Sequence, residues 1–323
     1  YLMSMDSIDP LLGALRAAAE PSRLRLLALC AESDLSVSEL VHILAQSQPR
    51  VSRHLKVLTD AGLLERVREG NWVFYRLVSD GFGVPVAASL LGLIPEHDAI
   101  ISGDLDRLAE VKRQREQAAA DYFSANAEAW DKVRSLHVDD AEVEQVMINL
   151  MPQHGAQRLL DIGTGTGRML EVFSSRVGTA EGIDASLDML AVARANLQRV
   201  NLGNCAVRQA DIYQLPFPSG QFDAITAHQV LHFLDRPSQA IAEAARVLKP
   251  GGWMLLVDFA PHTLDTLRDE HAHRRLGFDD DEITRWLDDC GLQCTAVEHL
   301  GGTPLTVTIW LANKNDNNTE NLR

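Results

Sequence analysis

From residue 9 to residue 62 the chain carries apolar residues at helical spacing. This pattern predicts four helices, over residues 9–20, 21–32, 38–46 and 48–62. Pro21 suits the first turn of the second helix. Ser36 and Glu39 form an S-x-x-E capping box, which predicts where the third helix begins.

Residues 63–77, LLERVREGNWVFYRL, change to a β-like pattern. Two apolar-rich runs are joined around Glu69, Gly70 and Asn71, a sequence typical of a tight turn. Only a short turn containing Ser47 separates the third helix from the fourth, which is basic. Two such helices followed by a hairpin predict a winged helix-turn-helix, an α+β domain.

The region after the hairpin contains an apolar stretch and then a charged one. Residues 81–95 are short of charge, which makes a dimer contact plausible. Residues 98–120 are highly charged, and their apolar positions recur at helical spacing. We interpret them as a solvated helix with one packed stripe. The stripe consists of Ile101, Leu105, Leu108 and Val111.

The second half of the chain alternates strand-like and helix-like runs. Residues 158–167, RLLDIGTGTG, are an apolar strand that enters a glycine-rich turn, and a helix follows. Acidic residues end the next two strands, at Asp184 and Asp211. Residues 297–302 and 304–312 predict a closing hairpin. This order predicts a doubly wound, Rossmann-like α/β domain, in which ligands bind at the carboxyl ends of the strands.

Charge is divided unevenly between the two halves. The 323 residues carry a net charge of −15, but residues 1–95 hold nine Lys and Arg against ten Asp and Glu. Residues 48–76 hold six basic residues against three acidic ones, so this patch is locally positive. Distant charge is screened within about 8–10 Å, so the acidic second half does not exclude DNA binding by the first.

Polar side chains of the fourth helix and the hairpin are candidates for DNA contact, because they can donate to phosphates or base edges. They are Ser47, Gln48, Arg50, Ser52, Arg53, His54, Lys56 and Arg68. The run from PSRLRLLALC to VREGNWVFYRL resembles the arsenic-repressor (ArsR) family of winged-helix regulators. The resemblance implies a homodimer on palindromic operator DNA that releases the DNA on sensing a ligand. The family's Cys-x-Cys metal site is absent, because residues 35–40 read LSVSEL.

The motifs of the second half resemble class I S-adenosylmethionine-dependent methyltransferases, nearest the UbiE-like quinone C-methyltransferases. The motifs are LLDIGTGTG, GIDASLDMLAVAR, ADIYQLPFPSGQFDAITAHQVLHFL and RVLKPGGWMLLVDF. The resemblance implies S-adenosylmethionine, or S-adenosylhomocysteine, as the cofactor. It also implies four groups of cofactor-binding residues. Asp161, Gly163, Gly165 and Gly167 would line the methionine end, Asp184 would hold the ribose, Asp211 and Ile212 would meet the adenine, and Tyr122 and Trp130 would form a lid.

Histidines near the ends of the fourth and fifth strands are candidate acid–base groups. They are His228, His232 and His262. The segment RDEHAHRRLGF, residues 268–278, adds two more histidines, and this cluster could bind a metal or an anionic substrate. The alternative is a polar surface helix with scattered histidines, and we assign no metal site.

The sequence therefore predicts four segments: a winged-helix DNA-binding domain (1–96), a helical linker (97–120), a methyltransferase domain (121–313) and a disordered tail (314–323). Two functions remain open. The chain is either a DNA-binding regulator that also methylates a small molecule, or a non-catalytic regulator that uses the methyltransferase fold as a cofactor sensor. Four scattered cysteines and the lack of a secretory or membrane-spanning pattern predict a cytoplasmic protein without a membrane partner.

Overall fold

The computed structural model describes residues 7–69, 72–78, 81–127, 140–152, 156–302 and 304–315. The chain forms two compact units, and the division falls between Gln117 and Ala118. The sequence places the winged-helix domain at 1–96 and the methyltransferase domain at 121–313, and the division falls between these two ranges. The predicted linker, 97–120, differs, because most of it belongs to the first unit. The predicted tail overlaps the last strand at Lys314, and residues 316–323 lie outside the described residues.

The first unit contains helices and a small sheet. In chain order they are α1 (Asp9–Ala18), α2 (Pro21–Glu32), β1 (Leu35–Ser36), α3 (Val37–Leu44), α4 (Gln48–Asp60), β2 (Leu64–Glu69), β3 (Trp72–Leu77), α5 (Gly83–Gly92) and α6 (Ala99–Asn126), which crosses the division. The antiparallel sheet has the order β1-β3-β2, so β2 and β3 form the predicted wing hairpin.

Local sequence signals explain how α3 begins and ends. The hydroxyl of Ser36 accepts a hydrogen bond from the backbone N–H of Glu39 at 3.3 Å, and the Glu39 carboxylate accepts one from the Ser36 N–H at 2.9 Å. The predicted capping box is therefore confirmed. The helix ends at Ala45, which adopts a left-handed conformation with φ of 52°. The chain then enters α4 within three residues, as a helix-turn-helix requires.

Helix α6 packs one side of its first half against the core of the first unit. Leu108 and Val111 are buried in that core, whereas Leu105 of the predicted stripe is 37% exposed. The Asp104 carboxylate is buried and accepts a 2.7 Å hydrogen bond from Arg25 of α2. An acid at this depth is tolerated because it is paired with a guanidinium group.

The second unit contains a seven-stranded sheet with helices between most strands. Its elements are α7 (Asp140–Leu150), β4 (Ala156–Ile162), α8 (Arg168–Phe173), β5 (Val177–Asp184), α9 (Leu187–Arg199), β6 (Cys205–Gln209), β7 (Phe222–His228), α10 (Pro237–Val247), β8 (Leu248–Phe259), α11 (Thr266–His271), α12 (Asp280–Asp289), β9 (Leu292–Gly301) and β10 (Thr306–Lys314).

The strand order of this sheet is β6-β5-β4-β7-β8-β10-β9. Strands β4 to β8 pair in parallel, and β10 is antiparallel to both β8 and β9, which confirms the closing hairpin. The strand order reverses between β4 and β7, so a crevice is expected at their carboxyl ends. None of the described helices is both long and apolar enough to cross a membrane.

Candidate functional site

Helix α4 divides cleanly into a buried face and an exposed face. Val51, Leu55 and Leu58 are fully buried in the core of the first unit. Most of the predicted DNA-contacting residues lie on the exposed face. They are Ser47, Gln48, Arg50, Ser52, Arg53 and Lys56. Two further exposed arginines, Arg66 and Arg68, alternate with less exposed residues along β2 of the wing.

His54 differs from the other predicted DNA-contacting residues. Its side chain is only 13% exposed, and its Nδ1 lies 3.8 Å from the carboxylate of Glu20, the residue that caps α2. Burial lowers the pKa of His54 below its usual value, so its imidazole is neutral at physiological pH. His54 therefore brings no positive charge to a phosphate in this conformation.

Acidic neighbours reduce the number of cations that can meet a phosphate. Lys56 binds Asp60 at 2.9 Å, and Arg76 of β3 binds Glu65 of β2. Arg53 is exposed and has no ion pair with any described residue. Arg50 lies 3.8 Å from the Glu20 carboxylate, so Arg53 is the basic residue of α4 whose charge is least offset by described acids.

The glycine-rich turn after β4 is shaped so that only glycine fits. Gly163, Gly165 and Gly167 have φ angles of 67°, 52° and 84°, in the region that disfavours other residues. A Cβ atom on Gly163 would lie 2.4 Å from the Cγ2 of Val230. The missing side chains leave the backbone open to a ligand at the carboxyl end of β4.

Asp161, which precedes this turn, lies beneath it rather than beside it. It is 1% exposed, and its Oδ1 accepts a 2.7 Å hydrogen bond from the hydroxyl of Thr226 on β7. This contact joins the two strands on either side of the crevice. The sequence did not identify Thr226, because the two residues are 65 positions apart.

Asp184 at the end of β5 is tied to the same turn. Its Oδ2 accepts a 2.9 Å hydrogen bond from the N–H of Gly165, and its Oδ1 accepts one at 2.8 Å from the N–H of Ser186. Burial raises the pKa of this carboxyl group, and the backbone donors only partly offset the effect. Each oxygen retains a lone pair, so the carboxylate can accept two ribose hydroxyls.

The residues predicted to bind adenine follow β6. The backbone N–H of Ala210 donates to the carbonyl of Asp184 at 3.1 Å, which brings this segment beside β5. Asp211 is exposed, and Ile212 packs partly against the apolar core. Asp184 ends β5, and Asp211 and Ile212 follow β6. All three therefore lie at the carboxyl ends of two neighbouring strands.

Of the two residues predicted to form a lid, the structure describes only Tyr122. Trp130 lies outside the described residues. The hydroxyl of Tyr122 lies 2.7 Å from the Nδ1 of His271, and the neighbouring Phe123 packs edge-on against Phe233. These contacts connect the end of α6 with the segments that follow β7 and β8, which also carry the histidines.

The predicted acid–base histidines occupy three distinct places. His228 is the last residue of β7, His232 lies in the short helical turn that follows it, and His262 follows β8. The Nδ1 of His232 lies 2.7 Å from a carboxylate oxygen of Asp258. Sequence reasoning missed Asp258, although an acid at the end of the apolar run WMLLVD was a usable signal.

Backbone strain marks the same region. Four non-glycine residues of the described chain have left-handed φ angles, and two of them flank these histidines. Gln229 follows His228 with φ of 52°, and Ala272 separates His271 from His273 with φ of 57°. Such conformations concentrate at binding sites, because the surrounding structure must hold them in place.

The arginines that follow β8 and the four cysteines of the chain give little support for an anion or metal site. Arg274 pairs with Asp235, and Arg275 pairs with Glu282, so both guanidinium charges are offset. Burial raises the pKa of Cys205 to about 11 and raises those of Cys30, Cys290 and Cys294, so all four thiols stay protonated. Among the described residues, no group of three or more His, Cys, Asp or Glu could hold a metal ion.

Comparison with known proteins agrees with both units. Residues 20–66 match the family model of bacterial regulatory proteins of the arsR family, and residues 160–256 match a methyltransferase domain. A 154-residue region is 36% identical to the uncharacterized methyltransferase YcgJ of Bacillus subtilis, covering 47% of this chain and 58% of that protein. A 156-residue region is 35% identical to the ubiquinone/menaquinone biosynthesis C-methyltransferase UbiE of Stutzerimonas stutzeri, covering 46% of this chain and 61% of UbiE.

The chain therefore spans less than two thirds of the length of these relatives. One solved structure, a chain from the complex of a Haloferax volcanii methyltransferase activator with a methyltransferase, aligns with a TM-score of 0.51. The alignment covers 60% of this chain and 97% of that one at 20% identity, so it shows the shared fold alone. Residues 20–66 are thus similar to the arsR family of bacterial regulatory proteins, and residues 160–256 are similar to methyltransferase domains.

Proposed function

We propose that the chain is a DNA-binding transcriptional regulator whose second unit binds S-adenosylmethionine and transfers its methyl group to a small molecule. The observation that carries the cofactor assignment is the hydrogen bond from Gly165 N–H to Asp184 Oδ2, at 2.9 Å. It joins a backbone cradle that excludes side chains to an acid that can bind both ribose hydroxyls. Asp211 and Ile212 follow the neighbouring strand β6, and we assign them to the adenine amine and ring.

The chemistry needs positioning more than a strong catalyst. When bound, S-adenosylmethionine supplies an electrophilic methyl group: its bond to the acceptor forms as the methyl–sulfur bond breaks, and the electron pair stays on sulfur to give S-adenosylhomocysteine. The protein's part is to orient the acceptor, exclude water and take up the acceptor's proton. His228, His232 and His262 are the candidate residues for this last task.

Methyl transfer can be tested without knowing the acceptor. The full chain would be incubated with S-adenosylmethionine carrying a tritiated methyl group and a deproteinised small-molecule extract of the host cells. We expect extractable tritium with the wild-type chain and none with Gly163→Val, because a side chain at that position would overlap Val230 in a left-handed backbone conformation and distort the cradle. Equal counts from both proteins would refute the assignment.

A non-catalytic sensor is the alternative, and helix α6 favours it. In the first unit, α6 supplies Arg115, whose Nε donates to Glu39 of α3 at 2.9 Å, and Arg107, whose Nε donates to the carbonyl of Ile43 at 2.6 Å. In the second unit, the same helix supplies Tyr122, which contacts His271. Ligand-dependent movement at Tyr122 would be passed to the helix-turn-helix by this route.

Operator titration tests the sensor function. The probe is a duplex of the DNA upstream of the gene for this chain, and its binding is followed by fluorescence anisotropy at fixed salt. S-adenosylmethionine and S-adenosylhomocysteine are added separately. A change in affinity with either ligand, unaccompanied by tritium transfer, would favour the sensor; unchanged affinity with both would eliminate it.

A homodimer is the proposed assembly. Most of the large apolar side chains that are exposed in the described chain lie on α1, α5 and the start of α6, or immediately beside them. They are Ile8, Leu15, Val84, Leu93, Ile100 and Leu105. A second copy of the first unit would cover these residues and present two copies of α4 to a palindromic operator. Light scattering should therefore give twice the chain mass, and Leu93→Glu should lower it.

The proposed location is the cytoplasm. Binding to operator DNA requires access to the chromosome, and four free cysteines are compatible with a reducing compartment. Fractionation of cells followed by immunoblotting would check this location.

A further inference from the structure

A buried histidine–carboxylate pair lies at the carboxyl ends of β7 and β8. His232 is 2% exposed and Asp258 is fully buried. The Asp258 Oδ1 lies 2.7 Å from His232 Nδ1, and its Oδ2 accepts a hydrogen bond from the His232 backbone N–H at 3.2 Å. The backbone N–H of Phe259 donates to Oδ1 at 2.8 Å. Asp258 therefore contacts both the ring and the backbone of His232.

This geometry fixes which ring nitrogen of His232 carries the proton. An ionised carboxylate only accepts hydrogen bonds, so the Nδ1 of the neutral ring must donate. The Nε2 is then the unprotonated nitrogen and a proton acceptor. Among the described residues, no atom forms a hydrogen bond with the Nε2 of His232.

Neighbouring rings hold the imidazole at a fixed angle. His273 stacks on His232 with ring centroids 4.0 Å apart and an interplanar angle of 24°, and Phe259 lies at 5.3 Å. The backbone N–H groups of Arg274 and Arg275 both donate to the carbonyl of His232. The residue is thus restrained on its ring faces, at Nδ1 and along its backbone, and only Nε2 is left for a ligand.

His262 is the other acid–base candidate with a described ring hydrogen bond, and its ring proton lies on the opposite nitrogen. The Nδ1 of His262 accepts a hydrogen bond from the backbone N–H of Leu264 at 3.3 Å. The neutral ring of His262 therefore carries its proton on Nε2, which makes that nitrogen a donor. Of these two histidines, only His232 presents a basic Nε2.

We propose that His232 Nε2 accepts the proton of the methyl acceptor and that Asp258 is the positioning residue that holds the ring in this tautomer. The role of His232 rests on the proposed methyltransferase function. The proton leaves the acceptor atom that attacks the methyl group and resides on Nε2, and the resulting imidazolium faces the Asp258 carboxylate. The ion pairs of Arg274 and Arg275 with acids offset both guanidinium charges, which favours an uncharged acceptor that carries a removable proton.

The tautomer of His232 is the first test. The full chain is labelled with ¹⁵N-histidine, and long-range ¹H–¹⁵N correlation spectra are recorded near neutral pH. His232 is assigned from the signal that is lost in His232→Gln. We expect the Nδ1–H tautomer, whereas free histidine favours Nε2–H. An Nε2–H signal for His232 in the wild-type chain overturns the proposal.

The Asp258→Asn variant is the second test. Its amide nitrogen can donate to Nδ1, so we expect the His232 signals to move towards the Nε2–H tautomer. Unchanged signals would count against Asp258 as the positioning residue. The matched control is Asp280→Asn, which alters a second histidine–aspartate pair: Asp280 lies 3.1 Å from the half-exposed His299. This control should leave the His232 signals unchanged.

Ligand binding separates this proposal from the function on which it rests. Titration calorimetry with S-adenosylhomocysteine should give the same affinity for Asp258→Asn and the wild type within about twofold, since the described hydrogen bonds of the pair involve no residue of the glycine turn. Absence of binding by the wild type would refute the cofactor assignment but not the tautomer. In the tritium assay, Asp258→Asn should lower kcat roughly 100-fold with little change in the KM for S-adenosylmethionine; an unchanged kcat would overturn the role of the pair.

Discussion

The two units place their functional groups in opposite ways. The winged helix presents long side chains on the outer surface of a regular helix, where Arg53 and its neighbours extend into solvent. The methyltransferase unit uses backbone atoms of a turn and short, shielded carboxylates at strand ends, such as Asp184. An outward-facing site tolerates replacement of one side chain, because several contacts share the binding energy. A site built from the backbone does not, because one added carbon overlaps the residues packed against the turn, as a Cβ on Gly163 would overlap Val230.

The largest expected effect concerns the buried ion pair of the first unit. Asp104→Asn should lower the free energy of unfolding of this unit by about 3 kcal/mol, because it leaves Arg25 without its buried partner. Chemical denaturation measures the change. Asp106→Asn, an exposed acid on the same helix, is the control and should change stability by less than about 0.5 kcal/mol. If both variants lower the free energy of unfolding equally, the buried position of Asp104 does not determine its contribution to stability.

The next effect tests how strictly the backbone cradle excludes side chains. Gly163→Ala should weaken S-adenosylhomocysteine binding roughly 100-fold, because the left-handed φ costs about 1–2 kcal/mol and the new Cβ overlaps Val230. Titration calorimetry gives the affinity. Val230→Ala in the same chain should restore part of it by removing the overlap. Gly203→Ala, where a Cβ meets nothing within 4 Å, should bind normally.

Asp184 tests the carboxylate part of the same site. Asp184→Asn should weaken S-adenosylhomocysteine binding by about 1–3 kcal/mol, because it removes charge-assisted hydrogen bonds to the ribose. The amide still fits the space, so the folded structure should persist, as circular dichroism would show. Asp188→Asn, on the exposed side of α9, is the control. If affinity is unchanged in Asp184→Asn, the ribose lies elsewhere.

A smaller effect is expected at the DNA surface. Arg53→Ala should weaken operator binding about tenfold and reduce the slope of log affinity against log salt by about one, as expected for one lost phosphate contact. Arg113→Ala, an exposed arginine of α6 that pairs with Glu110, should leave both quantities unchanged. Cofactor affinity should stay the same in both variants. A tenfold loss in the control would mean that overall charge, rather than α4, controls binding.

The smallest effect concerns the ligand-free protein and pH. Burial raises the native pKa of Asp184 above its unfolded value of about 4, so the native state retains this proton to higher pH than the unfolded chain. The resulting stability is fully present below the unfolded pKa and is lost as pH rises through the native pKa. Relative to Asp184→Asn, the wild type should become less stable across that interval in urea titrations. A constant difference would contradict this pKa shift.

The separation of interacting residues along the chain explains how much of the molecule could be predicted from its sequence. The capping box of Ser36 and Glu39, the helix start at Pro21 and the wing hairpin depend on residues only a few positions apart, and all three were predicted correctly. The order of strands and helices in the second unit was predicted for the same reason. Periodicity and turn chemistry act locally, so they can be detected in one sequence.

Contacts between distant positions could not be predicted in this way. Asp104 pairs with Arg25 across 79 positions, and Asp258 pairs with His232 across 26. Asp104 looked like one more charge on a solvated helix, and its burial became evident only when α6 was placed in the core. His54 has basic neighbours in the sequence, yet the fold turns it towards Glu20.

The carboxylate of Glu39 has a consequence for comparing natural variants of this chain. One of its oxygens caps α3 through Ser36, and the other binds Arg115. Glutamine can replace glutamate in a capping box, but its amide cannot form the ion pair. Chains in which the second unit influences DNA binding through α6 should therefore retain glutamate at position 39 together with arginine at position 115. Chains with glutamine at position 39 should vary freely at position 115, so a survey of sequences alone would reveal which lineages depend on this connection.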